Sequence, residues 1–193
     1  MRTVELMRTT RETDITLSLN LDGSGKADIY TGIGFFDHML TAFAVHSGID
    51  LKVNCKGDTF VDCHHTIEDV GIVLGQAFLQ AVGDRTGIER YGSFILPMDE
   101  ALALAAIDIS GRAFLVFDAN FTAPMIGDFD TQMFEEFWRA FAMNSQTTLH
   151  IRLLSGANDH HKAEAIFKAV AHAVKMAIAK NKEGVALSTK GCL

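Results

Sequence analysis

One signature occurs twice in this chain. His64-His65-Thr66-Ile67-Glu68 and His160-His161-Lys162-Ala163-Glu164 each set a glutamate four residues after the first histidine, and the copies stand 96 residues apart in a chain of 193. A repeat at half the chain length means one architecture written twice. The order of parts upstream agrees. Phe36-Asp37-His38 through Phe43-Ala44 aligns with Phe134-Glu135-Glu136 through Phe141-Ala142, Ser47 falls on Ser145, Leu51 on Leu149 and Val53 on Ile151. Glu12 to Gly23 matches Glu100 to Gly111 in length and in its glycine ending. The expectation is one domain over 1–193 made of two pseudo-repeats, about 1–90 and 91–193, with Arg90-Tyr91-Gly92 as the joint.

Each half has the same coarse pattern. Residues 13–21 and 102–109 alternate or run apolar and β-branched, as strands do, and turns at Asp22-Gly23-Ser24-Gly25 and Ser110-Gly111 follow them. Short strands are expected near 27–31 and 113–118, and helical spacing covers 36–45 and 134–143. Strands near 51–55 and 148–153 lead into long helices over about 64–82 and 159–180. Each half is therefore strand, strand, helix, strand, helix: an α+β class, with helices packed on one face of a sheet.

The helices carry the chemistry. Residues four apart share a helix face, so His64 with Glu68 and His160 with Glu164 are ready pairs of metal ligands. The second histidines, His65 and His161, point about 100° away and suit a different ion. The repeat adds two equivalent positions on the shorter helices, His38 and Glu136. An isolated His-His doublet is usually a solvated surface pair; two at matching places of a duplicated chain are not so easily dismissed. Imidazole and carboxylate without thiolate suit manganese, iron or zinc rather than calcium or copper(I). More than four ligand positions favour octahedral manganese(II) over tetrahedral zinc.

Composition removes other classes. A net charge of −7 argues against a nucleic-acid surface, which needs a basic face to replace counterions. The cysteines, Cys55, Cys63 and Cys192, show no C-x-x-C spacing and suit a reducing cytosol. Arg2, Glu5 and Arg8 interrupt any apolar signal core, and no run reaches the roughly 18 apolar residues of a membrane span. A cytoplasmic protein is expected. From the residues alone, a dinuclear hydrolase of phosphate esters and a non-catalytic metal-binding shell stay open beside a lyase.

The motifs resemble those of the imidazoleglycerol-phosphate dehydratase family. They are Thr31-Gly32-Ile33-Gly34-Phe35-Phe36-Asp37-His38-Met39-Leu40, Asp62-Cys63-His64-His65-Thr66-Ile67-Glu68-Asp69, Leu96-Pro97-Met98-Asp99-Glu100-Ala101 and Asp108-Ile109-Ser110-Gly111-Arg112. Leu149-His150-Ile151, Asn158-Asp159-His160-His161-Lys162-Ala163-Glu164 and the closing Ser188-Thr189-Lys190-Gly191 complete a set spanning nearly the whole chain.

The resemblance implies duplicated halves like the second domain of ribosomal protein S5. It also implies a 24-subunit homo-oligomer with sites shared between subunits, and two manganese(II) ions per active site. The reaction it implies removes water from D-erythro-imidazoleglycerol phosphate to give imidazole-acetol phosphate. Metal ligands would come from His38, His64, His65, Glu68, Glu136, His160, His161 and Glu164, although many family members have histidine at the place of Glu136. Glu12 matches the family's catalytic glutamate and His46 a substrate-contacting histidine; Arg90, Arg112, Lys168, Ser188 and Lys190 match its substrate-binding positions and would serve the phosphate. His150 and His172, which the repeat gives no ligand partner, read as structural histidines.

Overall fold

Fourteen elements follow one another in the computed structural model, which describes residues 2–181, 184, 185 and 188. The first half holds β1 (Thr3–Thr9), β2 (Thr13–Asn20), β3 (Ala27–Tyr30), α1 (Gly34–Ser47), β4 (Asp50–Gly57) and α2 (His64–Val82). The second holds β5 (Tyr91–Met98), β6 (Ala101–Asp108), β7 (Phe114–Asp118), the short pair β8 (Met125–Ile126) and β9 (Phe129–Asp130), α3 (Met133–Ser145), β10 (Thr148–Ser155) and α4 (Asp159–Ala177).

The duplication is plain in the strand order. One sheet runs β1-β2-β4-β3 and the other β5-β6-β10-β7. In each, the last two strands are parallel and the others antiparallel. Strand β2 shows why each sheet has one wet face: Thr13, Ile15, Leu17 and Leu19 point inward and are buried, while Asp14 and Thr16 between them are exposed.

The helices lie on the inner sheet faces and pair across the halves, α1 against α4 and α2 against α3. Both pairs run parallel: His38 meets Glu164 and, eight residues on along both helices, His46 meets His172, while Gly71 lies beside Phe137 and Gly75 beside Phe141. The core fills this helical layer with Phe36, Phe43, Phe78, Phe134, Phe137, Trp138, Phe141 and Phe167, all buried. Neither half buries its helices alone, so the two fold around one shared core.

Three features differ from the sequence expectation. Strands β1 and β5 open their sheets where no strand was expected. Strand β1 carries Glu5 and Arg8 in an edge position, and β5 holds Gly92 and Pro97, residues that weaken a strand signal but are tolerated at an edge. The β8–β9 hairpin is the third, and it has a long-range task. Its Asp128 accepts the Gly34 N–H at 2.8 Å and the Phe35 N–H at 3.3 Å, capping the start of α1 from the other half. Among the described residues no helix is long and apolar enough to cross a membrane.

Candidate metal centre and active site

Two helix starts from different halves meet at one point. Asn158 caps α4 by accepting the N–H groups of His160 and His161, at 2.9 and 3.4 Å, which fixes the turn that carries the doublet. One helical turn on, Glu164 is buried, with Oε1 3.0 Å from His160 Nε2 and 3.1 Å from Nε2 of His38 on α1. The ligand atoms of these three residues all lie within 4.8 Å of one another. Phe35 packs edge-on against both imidazoles.

Burial alone would raise the Glu164 carboxyl, but Lys168, His38 and His160 overcome it and hold the group down at about 2. Lys168 pairs with Oε2, leaving Oε1 to the histidines. Two imidazole nitrogens and an ionised carboxylate oxygen, with no thiolate, fit a divalent cation of the manganese, iron or zinc kind.

The corresponding group of the first half is looser. His64 Nε2 lies 3.6 Å from Glu68 Oε2, and both side chains are more than 40% exposed. Glu136 does not join them within the chain; it faces Arg139 at 3.9 Å and borders a recess with Phe117, Asn120 and Gln132. Among the described residues, His38, His160 and Glu164 form the one such group of three.

The second histidines each have a carboxylate at Nδ1. Asp58 Oδ2 stands 3.0 Å from Nδ1 of His65, and Glu100 Oε2 stands 2.8 Å from Nδ1 of His161. The N–H of Asn158 first, and then the His161 ring, hold Glu100 down at about 2. Glu12 lies 3.7 Å from the far nitrogen of His65.

Other candidates lie further along α4. Lys168 Nζ is 3.6 Å from Met98 Sδ. His46 Nδ1 is 3.4 Å from His172 Nε2, and Phe94 stacks on His172 with centroids 4.4 Å apart. Burial first, then the charges of Lys168 and His172, push the His46 ring down; burial and Lys175 do so for His172. Arg90 is buried, donates to Asp108 at 2.7 and 3.1 Å, and lies over the Tyr91 ring. Arg112, 70% exposed, faces the same Asp108 at 3.8 Å. Ser188 is half-buried and Lys190 lies outside the described residues.

These guanidinium groups are far from the three-residue cluster of the same chain. The Arg90 N–H donates to Ala177 O at the last turn of α4, whereas His160 sits on its first turn. A helix of 19 residues is about 28 Å long. A recess of about 420 Å³ does open beside His64, but Asp62, Asp128 and Asp130 line it. Such an acidic wall repels a phosphate.

The sequence reading passed over Asp58, Glu100 and Asp99, which surround the second histidines, and the pairing of His172 with His46. The alignment of Glu12 with Glu100, and the Leu96-Pro97-Met98-Asp99-Glu100-Ala101 motif that contains Asp99 and Glu100, were the signals available for these two.

An α+β chain with an imidazole–carboxylate cluster on paired helices has the donor set of a protein that binds a divalent cation. Comparison with known proteins narrows this. The family model described as imidazoleglycerol-phosphate dehydratase matches residues 31–174. Imidazoleglycerol-phosphate dehydratase of Clostridioides difficile is 58% identical over 175 residues, 91% of each chain. That of an Exiguobacterium species is 55% identical over 191 residues, 99% of this chain and 98% of the relative. The crystal structure of the Staphylococcus aureus enzyme covers 93% of this chain and 99% of its own, with a TM-score of 0.85 at 41% identity. The Pyrococcus furiosus structure, a complex with (S)-C348, covers 97% and 100% with a TM-score of 0.84 at 37% identity. The chain belongs to the imidazoleglycerol-phosphate dehydratase family and is a hydro-lyase.

Proposed function

We propose that this protein dehydrates D-erythro-imidazoleglycerol phosphate to imidazole-acetol phosphate in histidine biosynthesis, with manganese(II) bound by its helix-borne histidines and glutamates. Family membership supports the reaction, and the convergence of His38, His160 and Glu164 is the single observation that carries the metal dependence.

The substrate proton to be removed sits on a carbon with no neighbouring carbonyl, so its acidity has to be raised through the imidazole ring. A divalent cation on that ring supplies the stabilisation of negative charge that this requires. The protein's part is then positioning and proton transfer. His38, His160 and Glu164 would hold one cation, and His64, His65, Glu68, Glu136 and His161 would supply the remaining ligands of two ion sites shared between subunits. Glu12 is the acid/base group: its side chain is about half exposed and lies 3.7 Å from Nε2 of His65, beside the proposed cation ligands. His46 contacts the substrate, and Lys168, Arg90, Arg112, Ser188 and Lys190 hold the phosphate.

Distance supports subunit sharing. Arg90 and the cluster of its own chain stand at opposite ends of α4, too far apart to hold one small substrate. A neighbouring copy that brings its arginines to the cluster resolves this, in keeping with a homo-oligomer of 24 subunits. We place the protein in the cytoplasm, without nucleic-acid or membrane partners.

The test is to incubate assembled, manganese-loaded protein with imidazoleglycerol phosphate and follow the enol and ketone product. Product that disappears with chelator and returns with manganese is expected. Native, assembled protein that forms none contradicts the reading.

A further inference from the structure

The two halves place an equivalent glutamate beside their second histidines but connect it differently. Glu12 and Glu100 occupy equivalent places, each one residue ahead of the strand that Thr13 or Ala101 opens. In the second half Glu100 holds the histidine: Oε2 meets His161 Nδ1 at 2.8 Å, while Oε1 accepts the N–H of Asn158 at 2.7 Å and of Ala157 at 3.2 Å. Both oxygens are in use.

In the first half the equivalent nitrogen, Nδ1 of His65, is held by the two Asp58 oxygens at 3.0 and 3.2 Å. Asp58 comes from the loop between β4 and α2, residues 58–63, which is twice as long as its counterpart, residues 156–158. That shorter loop is Gly-Ala-Asn and offers no carboxylate, so Glu100 is the acid that reaches His161. Glu12, relieved of the task, lies 3.7 Å from the opposite nitrogen of His65.

A histidine that donates Nδ1–H to a carboxylate has its lone pair on Nε2, aimed outward along a fixed axis. We propose that Asp58 and Glu100 are the positioning residues of His65 and His161, each fixing the ring so that Nε2 is the cation-binding atom, and that Asp58 has taken over in the first half the role that Glu100 keeps in the second. Equivalent carboxylate positions thereby serve two ends: Glu100 as a structural acceptor, and Glu12 as a group that faces Nε2 of His65. This rests on the reading of both doublets as cation ligands.

The test is a manganese titration of the assembled protein by calorimetry, independent of turnover. Asp58→Ala is expected to weaken manganese binding by about 10–100-fold, and Asp58→Asn, which keeps an acceptor oxygen, to restore most of it. Glu100→Gln has one acceptor oxygen where the native residue uses two, and about tenfold or greater weakening is expected. Wild-type affinity in both assembled Asp58→Ala and Glu100→Gln overturns the proposal, provided that His65→Ala and His161→Ala lose affinity. If those two histidine variants also bind normally, the ligand reading itself fails and the proposal falls with it. Should Asp58→Ala fail to assemble, Glu100→Gln decides alone: unchanged affinity in that variant overturns it.

Discussion

Oε1 of Glu164 lies 3.1 Å from Nε2 of His38, a residue 126 positions earlier in the chain. That contact joins the first half's α1 to the second half's α4, so the cluster exists only when the halves pack on one another. The fold's cross-pairing of helices is therefore part of the site, and changes in the packing layer are felt as changes in chemistry.

The close approach of α2 to α3 gives the first expected outcome. A Cβ on Gly75 would stand 2.7 Å from Phe141 O and 2.8 Å from Asn144 Cβ. Glycine to alanine within a solvated helix normally stabilises by about 1 kcal/mol. Here the neighbour is a helix backbone that cannot yield, so Gly75→Ala should destabilise by about 1–3 kcal/mol. Denaturant unfolding checks the sign.

A buried ion pair holds the start of α4. Lys162 donates to Asp159 at 2.7 Å, and the other Asp159 oxygen accepts from Ala123 N–H and from the N–H and hydroxyl of Thr122. Both side chains are less than 10% exposed. Asp159→Asn leaves the ammonium uncompensated beside the ligand doublet, and a loss of about 3–5 kcal/mol is expected. Chemical denaturation should show it, and Asp159→Asn with Lys162→Met should recover part of the loss.

The imidazole pair gives a pH dependence. His46 and His172 are pushed below their ordinary value of 6.5, chiefly by burial. The unfolded chain then takes up protons before the native one does, so stability is fully present above about pH 6.5 and falls as the pH drops below it. His172→Phe removes one ring and keeps a surface for Phe94. The fall in unfolding midpoint between neutral and mildly acidic pH should be smaller in the variant. Equal slopes would show that the pair carries no such linkage.

Glu12→Gln separates chemistry from binding. The substitution removes the acid/base group without touching a ligand atom of the three-residue cluster. Turnover should fall by about 10²–10⁴-fold, the usual worth of general acid–base catalysis, with manganese content unchanged. Surviving turnover would remove Glu12 from its assigned role.

Much of this was legible in the sequence, and the parts that were not have physical reasons. The doubled signature pointed to two equivalent halves, and helical spacing placed all four helices within a few residues. Strands β1 and β5 escaped because edge strands need no apolar alternation and tolerate glycine and proline. The cluster was only half legible: spacing pairs His160 with Glu164, but nothing local places His38 beside them, since that depends on α1 packing against the other half's α4. Asp58 was invisible for a related reason. It stands in a loop whose extra length has no counterpart in the repeat, so alignment of the halves could not point to it. Glu100 was aligned with Glu12, yet the alignment could not tell which of the two would be engaged.

The most direct measurement of the central claim is anomalous diffraction at the manganese edge from crystals of the manganese-loaded assembly. A peak is expected roughly 2–2.5 Å from Nε2 of His38, Nε2 of His160 and Oε1 of Glu164 together, the range for nitrogen and oxygen ligands of divalent ions. Manganese found elsewhere, with those three side chains still paired only to one another, would contradict the account.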